Sequence, residues 1–271
     1  MKEKLSKREL EKLKTSFDLV GDVAILEEVE GLKKYDKQLA EAVMKVNKHV
    51  QTVCKKLGER EGELRLRKIK VIKSKRVRKK TETIHKEFGC SFFLDVKKTY
   101  FSPRESTERQ RILDQVKHGE TILVMFSGIA PFSIIIAKKK NVKVYSIELN
   151  KDACKYAVKN VELNKVQDKV EVICGDVKKE TKRFYRKCNR VLMPLPKDAY
   201  KFLPEAIKAV KQSGVIHLYH VSPEEDLFTE PVKLIKEEAN KLKRKVRILN
   251  KRKVLAYGPR TWKVCIDFEV Q

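Results

Sequence analysis

The stretch Thr121–Ser133, TILVMFSGIAPFS, decides the fold of the larger part of this chain. A short apolar run ends at Ser127-Gly128, and a helical segment begins after a turn that contains Pro131. A second apolar run, VKVYSIELN, ends near Glu148. An acid about twenty positions after a glycine turn is typical of nucleotide-type sites, where the turn brings backbone N–H groups to the ligand and the acid binds a ribose. An ordinary crossover of a doubly wound sheet is the alternative on spacing alone.

The composition favours a polyanionic partner. The chain has 271 residues with 63 Lys and Arg against 37 Asp and Glu, a net charge of +26. Such a surface attracts nucleic acid, although a lysine-rich bias of the whole organism is an alternative source of part of the charge. No apolar run approaches the ~20 residues of a membrane span. The six scattered cysteines form no CxxC pair, and without a secretory signal we expect reduced thiols in a cytoplasmic protein.

Residues up to about 95 show strands and helices without regular alternation. Apolar residues from Leu39 to Val53 recur at spacings of three and four, which predicts a long helix. The segment Lys73–Lys80, KSKRVRKK, is a basic loop that either contacts phosphates or is a solvated surface. The predicted elements are a hairpin or a bulged strand in Phe17–Val29, a helix over Tyr35–Leu57, a strand over Glu63–Ile72, and paired strands over Thr83–His85 and Ser91–Val96.

From about residue 118 strands and helices alternate, which predicts a mostly parallel sheet covered by helices on both faces. The tight connection around YGPR predicts an antiparallel last strand. We therefore predict an N-terminal α+β domain over 1–95 and an α/β domain over 96–271 that starts with a helix over Arg104–Val116. The predicted strands are 121–126, 142–148, 169–174, 189–195, 214–220, 246–256 and 262–270, and the predicted helices are 131–140, 150–164, 198–211 and 230–244.

Two more groups follow predicted strand ends. Asp176, in ICGDV, follows the third strand as Glu148 follows the second. One acid could receive a ribose and the other an exocyclic amine of a base, while a helix N-cap is the alternative for each. Pro194 and Pro196, in MPLP, fix φ and remove two N–H donors. They could form the wall of a pocket for a flat base, or only a rigid strand exit.

Charged residues also precede the glycine turn. In FSPRESTER, Arg104 and Glu108 are four apart and share one face if the segment is helical, where a surface ion pair is the common outcome. His217 and His220 are three apart in a predicted strand and point to opposite faces, so we interpret them as structural and predict no metal.

In this order, FSPRESTER, MFSGIAPFS, YSIELN, GDV and RVLMPLPKDAYKFLPEA resemble the archaeal and eukaryotic tRNA guanine-N1 methyltransferases that act on nucleotide 37, beside the anticodon. The usual forms in that family look like FSPR….ER, DMFAGVGPFS and MNLP…..FL. Upstream, GELRLRKI, TIHKEFG and YFSPR also resemble the family, so the similarity runs from about Phe17 to the C-terminus. The resemblance implies a class I (Rossmann-like) methyltransferase that uses S-adenosylmethionine, with an N-terminal α+β domain that faces tRNA.

The resemblance also implies roles for single residues, and no protein partner is inferred. Glu108 falls at the position of the family's proposed general base, and Arg65 at that of a catalytic arginine near the guanine. Arg104 belongs to the same active-site segment as Glu108. The residues implied to contact the cofactor are Tyr100, Phe126, Gly128, Glu148 and Asp176. Pro194 and Pro196 are assigned to the base pocket, and Lys75, Arg76 and Arg78 of the basic loop to the tRNA backbone.

Three positions depart from the family pattern. Val124 replaces an aspartate, Ala130 a glycine, and Pro194 the asparagine of MNLP. The last change bears on substrate, because a branch of the archaeal family also adds a carbon-bound methyl to the tricyclic wyosine intermediate at the same nucleotide (imG-14 to imG2). A pocket without the asparagine amide could admit that larger base.

Two other functions stay open. Wyosine-pathway aminocarboxypropyl transferases look like they lack the arginine of SPR and the proline of GxGPFS, so Arg104 and Pro131 favour methyl transfer. A non-catalytic RNA-binding protein on a methyltransferase scaffold is favoured by Val124 and Ala130 but not by the retained Glu108. A small-molecule methyltransferase fits poorly with a net charge of +26.

Overall fold

The computed structural model describes residues 16–29, 31–61, 66–78 and 80–271. The chain forms two compact units, Met1–Pro103 and Arg104–Gln271. The boundary predicted from the sequence falls after residue 95, so the short segment 96–103 is assigned differently. Below, these two parts are called the N-terminal unit and the C-terminal unit.

Among its described residues, the N-terminal unit has six strands and one α-helix, α1 (Asp36–Val46). The strands are β1 (Phe17–Val20), β2 (Val23–Leu26), β3 (Thr52–Glu61), β4 (Leu66–Ser74), β5 (Glu82–Glu87) and β6 (Cys90–Asp95). One sheet has the order β1-β2-β3-β4, with β2 and β3 parallel, and β5 pairs with β6 separately. Of the two alternatives for Phe17–Val29 the structure has the hairpin, around Gly21-Asp22, and the predicted paired strands around Gly89 are confirmed.

The long helix predicted over Tyr35–Leu57 is wrong. The helix ends at Val46, whose side chain is 82% exposed, and β3 begins at Thr52. Val53 is buried in the sheet and pairs with Ala24 of β2. Apolar residues of a buried strand happened to continue the helical spacing, and pairing with two neighbouring strands outweighed that local pattern.

The described residues of the C-terminal unit form seven strands and six α-helices. The strands are β7 (Thr121–Val124), β8 (Lys143–Glu148), β9 (Val170–Cys174), β10 (Cys188–Met193), β11 (Val210–Pro223), β12 (Val246–Gly258) and β13 (Thr261–Val270). The helices are α2 (Ser106–Gln115), α3 (Pro131–Lys139), α4 (Lys151–Leu163), α5 (Val177–Glu180), α6 (Leu203–Ala209) and α7 (Thr229–Lys241).

All seven strands join one sheet in the order β12-β13-β11-β10-β7-β8-β9. The pairs from β11 to β9 are parallel, and β13 is antiparallel to both of its neighbours, which confirms the predicted mostly parallel sheet and reversed last strand. Successive crossovers run from β7 toward β9 and then return to β10 and β11. Right-handed crossovers in opposite directions place their helices on opposite faces of the sheet, and the strand ends of β7 and β10 form its switch point.

The helix predicted over 198–211 is shorter in the structure. A 3-10 turn, Ala199–Phe202, leads into α6, which ends at Ala209, and β11 begins at once with Val210. The sheet register between β10 and β11 shifts after this first pair, from Cys188↔Val210 to Arg190↔Val215. The irregular pairing explains why the strand starts earlier than its apolar run at Gly214 predicted.

The expectation that all cysteines are reduced is wrong for two of them. Cys154 of α4 and Cys174 at the end of β9 form a disulfide, while the other four cysteines are buried and lie outside it. None of the helices in the described ranges has the length and apolarity that a membrane crossing requires.

Candidate active site

The loop after β7 carries the first group of predicted site residues. Phe126, Gly128 and Ala130 all have positive φ, at 54°, 57° and 65°. This region costs an alanine roughly 1–2 kcal/mol relative to right-handed backbone, so the replacement of a glycine by Ala130 strains the loop. Strain of this kind concentrates at ligand sites, where the surrounding fold holds it in place. The Asn160 side chain of α4 helps to hold this loop, because its Nδ2 donates a hydrogen bond to Ile129 O at 3.3 Å.

Glu148, at the end of β8, binds the loop directly. Its Oε2 accepts the Gly128 N–H at 2.7 Å, and its Oε1 accepts the Asn150 N–H at 2.8 Å. Burial raises the pKa of Glu148, and the N–H groups of Asn150 and Gly128 offset only part of that effect. The predicted pair Gly128 and Glu148 is therefore brought together, with the glycine amide bound to the acid. The Leu149 N–H is a third backbone donor to this carboxylate, and because a carboxylate offers about four acceptor positions, one remains for a ligand hydroxyl.

Asp176 lies at the neighbouring strand end, after β9. Its side chain is exposed and caps α5, since Oδ1 accepts the Lys178 N–H at 2.7 Å. Gly175 N–H donates to Glu148 O at 2.9 Å, so the ends of β8 and β9 are joined beside the two acids. The capping alternative is thus realised for Asp176, and its contact with a cofactor stays a prediction.

The MPLP segment leaves the sheet at the switch point. Leu195 N–H donates to Met193 O at 2.9 Å across Pro194, which makes a tight three-residue turn. Pro194 and Pro196 are both partly buried. They present no N–H donor, so this wall offers carbonyl oxygens and apolar surface only. Its role as a base pocket stays a prediction.

Phe126, in the loop after β7, forms an aromatic pair with Phe202. The ring centroids of Phe126 and Phe202 are 4.9 Å apart at 70°, an edge contact, and Lys178 Nζ lies 5.5 Å from the Phe202 ring centroid. Ser127, between Phe126 and Gly128, is 5% exposed, and its Oγ has no hydrogen-bond partner among the described residues. A buried hydroxyl without a partner costs free energy in the unliganded fold, so it is an available contact for a polar ligand atom.

Glu108, the predicted general base, is buried, with 3% of its surface exposed. Arg111 binds it in a bidentate manner, from Nε to Oε2 at 2.8 Å and from Nη2 to Oε1 at 2.7 Å. The Tyr219 hydroxyl donates to Oε1 at 2.6 Å. Burial raises the pKa of Tyr219 well above its ordinary value, so this hydroxyl remains a donor. The spacing of Arg104 and Glu108 suggested an ion pair on the surface. That prediction is wrong for Glu108, because its carboxylate is buried and is fixed by Arg111 and Tyr219. Arg104 is exposed, on the 3-10 turn before α2.

Further buried charged and polar residues follow on the side of Arg111 away from Glu108. Its guanidinium also binds Asp267, which accepts from His217 Nδ1 at 2.6 Å, and His217 Nε2 lies 2.7 Å from Arg190 Nη1. A guanidinium can only donate, so His217 is neutral with its proton on Nδ1, and burial accordingly lowers its pKa. Burial alone would raise the pKa of Asp267, but the bonds from His217 and Arg111 outweigh it and hold that pKa well below its usual range.

His217, Cys265 and Asp267 form a group whose ligand atoms lie within 4.8 Å of one another, which could in principle hold a metal ion. Arg111 and Arg190 already occupy the Asp267 oxygens and the His217 nitrogen. Two guanidinium charges at these atoms repel a cation, so the geometry assigns this group to a buried ion-pair network.

The predicted residues of the N-terminal unit are described separately. Tyr100 lines a cavity together with Asp18 and Lys56, and its contact with the cofactor stays a prediction. Arg65 lies outside the described residues. In the basic loop, Lys75 and Arg78 are exposed. Arg76 bonds Asp22 and the Glu82 carbonyl, so it anchors the loop to the first hairpin.

Sequence reasoning missed the residues around Glu108, namely Arg111, Tyr219 and Asp267. One signal could have found them. Asp267 interrupts an otherwise apolar run, VCIDF, and a carboxylate in a buried strand requires a cationic or donor partner.

A seven-stranded sheet with this order, a strained loop after β7 and an acid at the end of the adjacent strand β8 define a class I S-adenosylmethionine-dependent methyltransferase. The chain belongs to the TRM5/TYW2 methyltransferase family. The TRM5/TYW2 methyltransferase domain matches residues 83–249, and the TYW2 N-terminal domain matches residues 1–73. The resemblance noted from the motifs is thereby confirmed.

Three relatives show the range of the family. The tRNA (guanine(37)-N(1))-methyltransferase Trm5b of Pyrococcus abyssi is 42% identical over 95% of this chain and 76% of its own length. The tRNA (guanine(37)-N(1))/4-demethylwyosine(37)-methyltransferase Taw22 of Nanoarchaeum equitans is 41% identical over 59% of this chain and 52% of its own. The tRNA(Phe) (4-demethylwyosine(37)-C(7)) aminocarboxypropyltransferase of Methanocaldococcus jannaschii is 34% identical over 76% of this chain and 80% of its own.

Solved structures agree in fold. The Pyrococcus abyssi Trm5b crystal structure has a TM-score of 0.89 at 41% identity, and covers 98% of this chain and 78% of that one. The complex of aTrm5 with tRNALeu has a TM-score of 0.87 at 34% identity, over 100% and 76%. TYW2 of Methanocaldococcus jannaschii in complex with AdoMet has a TM-score of 0.73 at 28% identity, over 94% and 99%.

Proposed function

We propose that this protein transfers a methyl group from S-adenosylmethionine to N1 of guanine 37 in tRNA. The observation that carries the proposal is the buried Glu108 carboxylate, fixed by Arg111 and Tyr219 in a unit with a methyltransferase sheet. The similarity to Trm5b over 95% of the chain supports the same reaction.

The residues at the strand ends fit the cofactor. Ser127 offers a buried hydroxyl without a described partner, and Glu148 holds the loop while keeping an acceptor position for a ribose hydroxyl. Phe126 and Phe202 give an apolar surface beside them. When bound, the cofactor supplies an electrophilic methyl group on a sulfonium ion.

Glu108 supplies the base that the substrate requires. Guanine N1 carries a proton and is a poor nucleophile while it does, so a carboxylate has to take that proton as the N1–methyl bond forms. Negative charge develops at the neighbouring carbonyl oxygen, where an arginine would stabilise it. Arg104 and Arg65 are our candidates for that position on the basis of the family motifs.

tRNA binding is proposed to use the anticodon region and the basic loop of the N-terminal unit. Lys75 and Arg78 expose their side chains, while Arg76 is bound to Asp22 and shapes the loop. We expect binding to weaken steeply with salt, as phosphate contacts do. The enzyme is proposed to be cytoplasmic, where tRNA is processed.

A second methylation is a further candidate activity, on the wyosine intermediate that occupies the same nucleotide. Pro194 takes the place of the family's asparagine and leaves this wall without an N–H donor. The similarity to Taw22, whose name gives both reactions, favours the idea. Incubation with labelled cofactor and tRNA bearing the tricyclic base tests it, and absence of label on that base contradicts it.

Aminocarboxypropyl transfer is the alternative reaction. It is favoured by the match of residues 1–73 to the TYW2 N-terminal domain. Arg104 and Pro131 are retained where the family's aminocarboxypropyl transferases lack their counterparts, which favours methyl transfer. Mass spectrometry of nucleosides from unmodified tRNA, after incubation with protein and cofactor, separates the two reactions by the mass of the added group. 1-Methylguanosine at position 37 is the expected product.

A further inference from the structure

We propose that Arg111 and Tyr219 are positioning residues that hold the proton acceptor Glu108, and that a buried row of ion pairs and hydrogen bonds fixes Arg111 in turn. The proposal rests on the methyl transfer proposed above. It adds to that reaction two side chains, Arg111 and Tyr219, which lie outside the motifs quoted above, and the network that supports them.

The helix α2 and the turn before it bury a polar face. Glu105, Glu108, Arg111 and Gln115 are spaced by three, three and four residues, which places them on one side of a helix. Glu105 pairs with Lys263 of β13 at 3.0 Å, and both are buried. An ordinary helix covers a sheet with apolar residues, so this face is unusual.

The contacts leave the Glu108 carboxylate little freedom. Arg111 fixes its plane through two parallel bonds, and the Tyr219 hydroxyl adds a third donor from β11. A carboxylate offers about four acceptor positions, so these donors account for most of them. Catalytic groups have to be held within about 0.5 Å of the productive geometry, and three donors from two elements achieve that.

Arg111 is held from behind by the sheet. Its Nη2 donates to Asp267 Oδ1 at 3.2 Å, and Gln115 Nε2 donates to Oδ2 of the same residue at 3.3 Å. His217 and Arg190 continue the row, and Arg190 ends it on Glu120, with Nε at 2.7 Å from Oε2. Acceptors and donors alternate along this row, so each member fixes the next.

Stability alone does not explain such a row. Buried ion pairs contribute little net stability, because desolvation offsets their attraction, and apolar residues of similar volume often stabilise a core more. Sequences break the rule of apolar cores mainly at functional sites. Here the row ends on the one carboxylate to which the reaction assigns a proton.

The pH response of Glu108 depends on every charged or titratable group that faces it. Arg111 lies on the same helix, and Tyr219 faces it from β11. Arg252 Nε of β12 lies 3.8 Å from Oε2. The further groups on the packed strands are Cys265, Asp267, Lys263 and His217.

The first test is Tyr219→Phe, which removes one hydroxyl and keeps the ring that Lys263 contacts at 4.6 Å. We expect kcat for guanine methylation to fall about tenfold or more, with KM for tRNA within about twofold. Loss of a donor makes the carboxylate easier to protonate, so the acid limb of the kcat/KM profile should move up by about one pH unit. A merely structural role of Tyr219 would not move that limb.

Arg111→Lys is the second variant, since an ammonium keeps the charge but cannot bind a carboxylate in a bidentate manner. A larger loss of kcat than in Tyr219→Phe is expected, with folding followed by circular dichroism. Tyr145→Phe is the matched control, because its ring packs on Phe184 in the core, and it should keep the wild-type rate and profile.

Wild-type protein that forms no methylated guanosine would refute the proposed function, and this proposal with it. Active wild-type protein with a folded Tyr219→Phe variant of unchanged kcat and pH profile would overturn the positioning proposal alone. If Arg111→Lys does not fold, the Tyr219→Phe result decides.

Discussion

Replacement of Glu148 by glutamine should separate cofactor affinity from stability. The carboxylate accepts one N–H of the loop and one of Asn150, at 2.7 and 2.8 Å. Glutamine keeps the shape and one acceptor oxygen but loses the charge and the other acceptor. Glu148→Gln therefore changes what a ribose hydroxyl would contact while it leaves the packing in place.

The magnitudes of the two effects differ. A hydrogen bond to a charged group contributes about 1.5–3 kcal/mol, so losing one to the ribose should weaken cofactor binding by about 10- to 100-fold. Burial raises the pKa of Glu148 in the fold. A carboxyl whose pKa is higher in the folded than in the unfolded protein stabilises the fold fully when the pH is below its pKa in the unfolded state. This stabilisation is lost as the pH rises through its pKa in the folded state. Ionisation of Glu148 is thus a cost to the unliganded protein, and removal of the charge offsets the lost loop bond.

Calorimetric titration with S-adenosylhomocysteine and urea unfolding at pH 8 give the two quantities. We expect the free energy of unfolding to change by less than about 1 kcal/mol while the affinity falls. Glu171→Gln is the control, because Glu171 lies on the neighbouring strand β9 and pairs with Arg183. Unchanged affinity in Glu148→Gln, or an equal loss in both variants, would refute the assignment of Glu148.

Two further predictions concern stability. Reduction of the Cys154–Cys174 disulfide, which spans 20 residues, should lower the free energy of unfolding by about 3 kcal/mol; equal urea midpoints with and without reductant would contradict the pairing. Gly21→Ala should destabilise the protein by about 1–3 kcal/mol more than Gly31→Ala. Both glycines have positive φ, but a Cβ at Gly21 would lie 2.2 Å from Thr83 Oγ1, whereas none of the described atoms is within 4 Å at Gly31. Thermal melts of the two variants that coincide would rule out this steric difference.

The features that could be predicted from the sequence are those set by residues close together in the chain. The strand–turn–helix–strand segment from β7 to β8 follows from two apolar runs and a turn. The local pattern alone was therefore enough to place Gly128 and Glu148 together. The reversed last strand followed from the tight YGPR turn. In the C-terminal unit local periodicity and tertiary pairing agree, which is the condition under which such reasoning succeeds.

The parts that were missed depend on distant partners. Tyr219 lies 111 residues from Glu108, and Asp267 lies 156 residues from Arg111, so no spacing rule joins them. Cys154 and Cys174 meet only because α4 returns to the end of β9. The same physics explains why the pattern predicted a surface position for Glu108: its neighbours in sequence are charged, but its neighbours in space are a buried strand.

In the proposed reaction Glu108 takes the N1 proton of guanine during methyl transfer. Nucleoside mass spectrometry of unmodified tRNA, incubated with cofactor and either wild-type protein or Glu108→Gln, tests it most directly. We expect 1-methylguanosine from the wild type and a rate at least about 100-fold lower from the variant, because a general base usually contributes a factor of this size. A Glu108→Gln variant that binds cofactor and methylates guanine at the wild-type rate would contradict the claim, as would wild-type protein that leaves guanine unmodified.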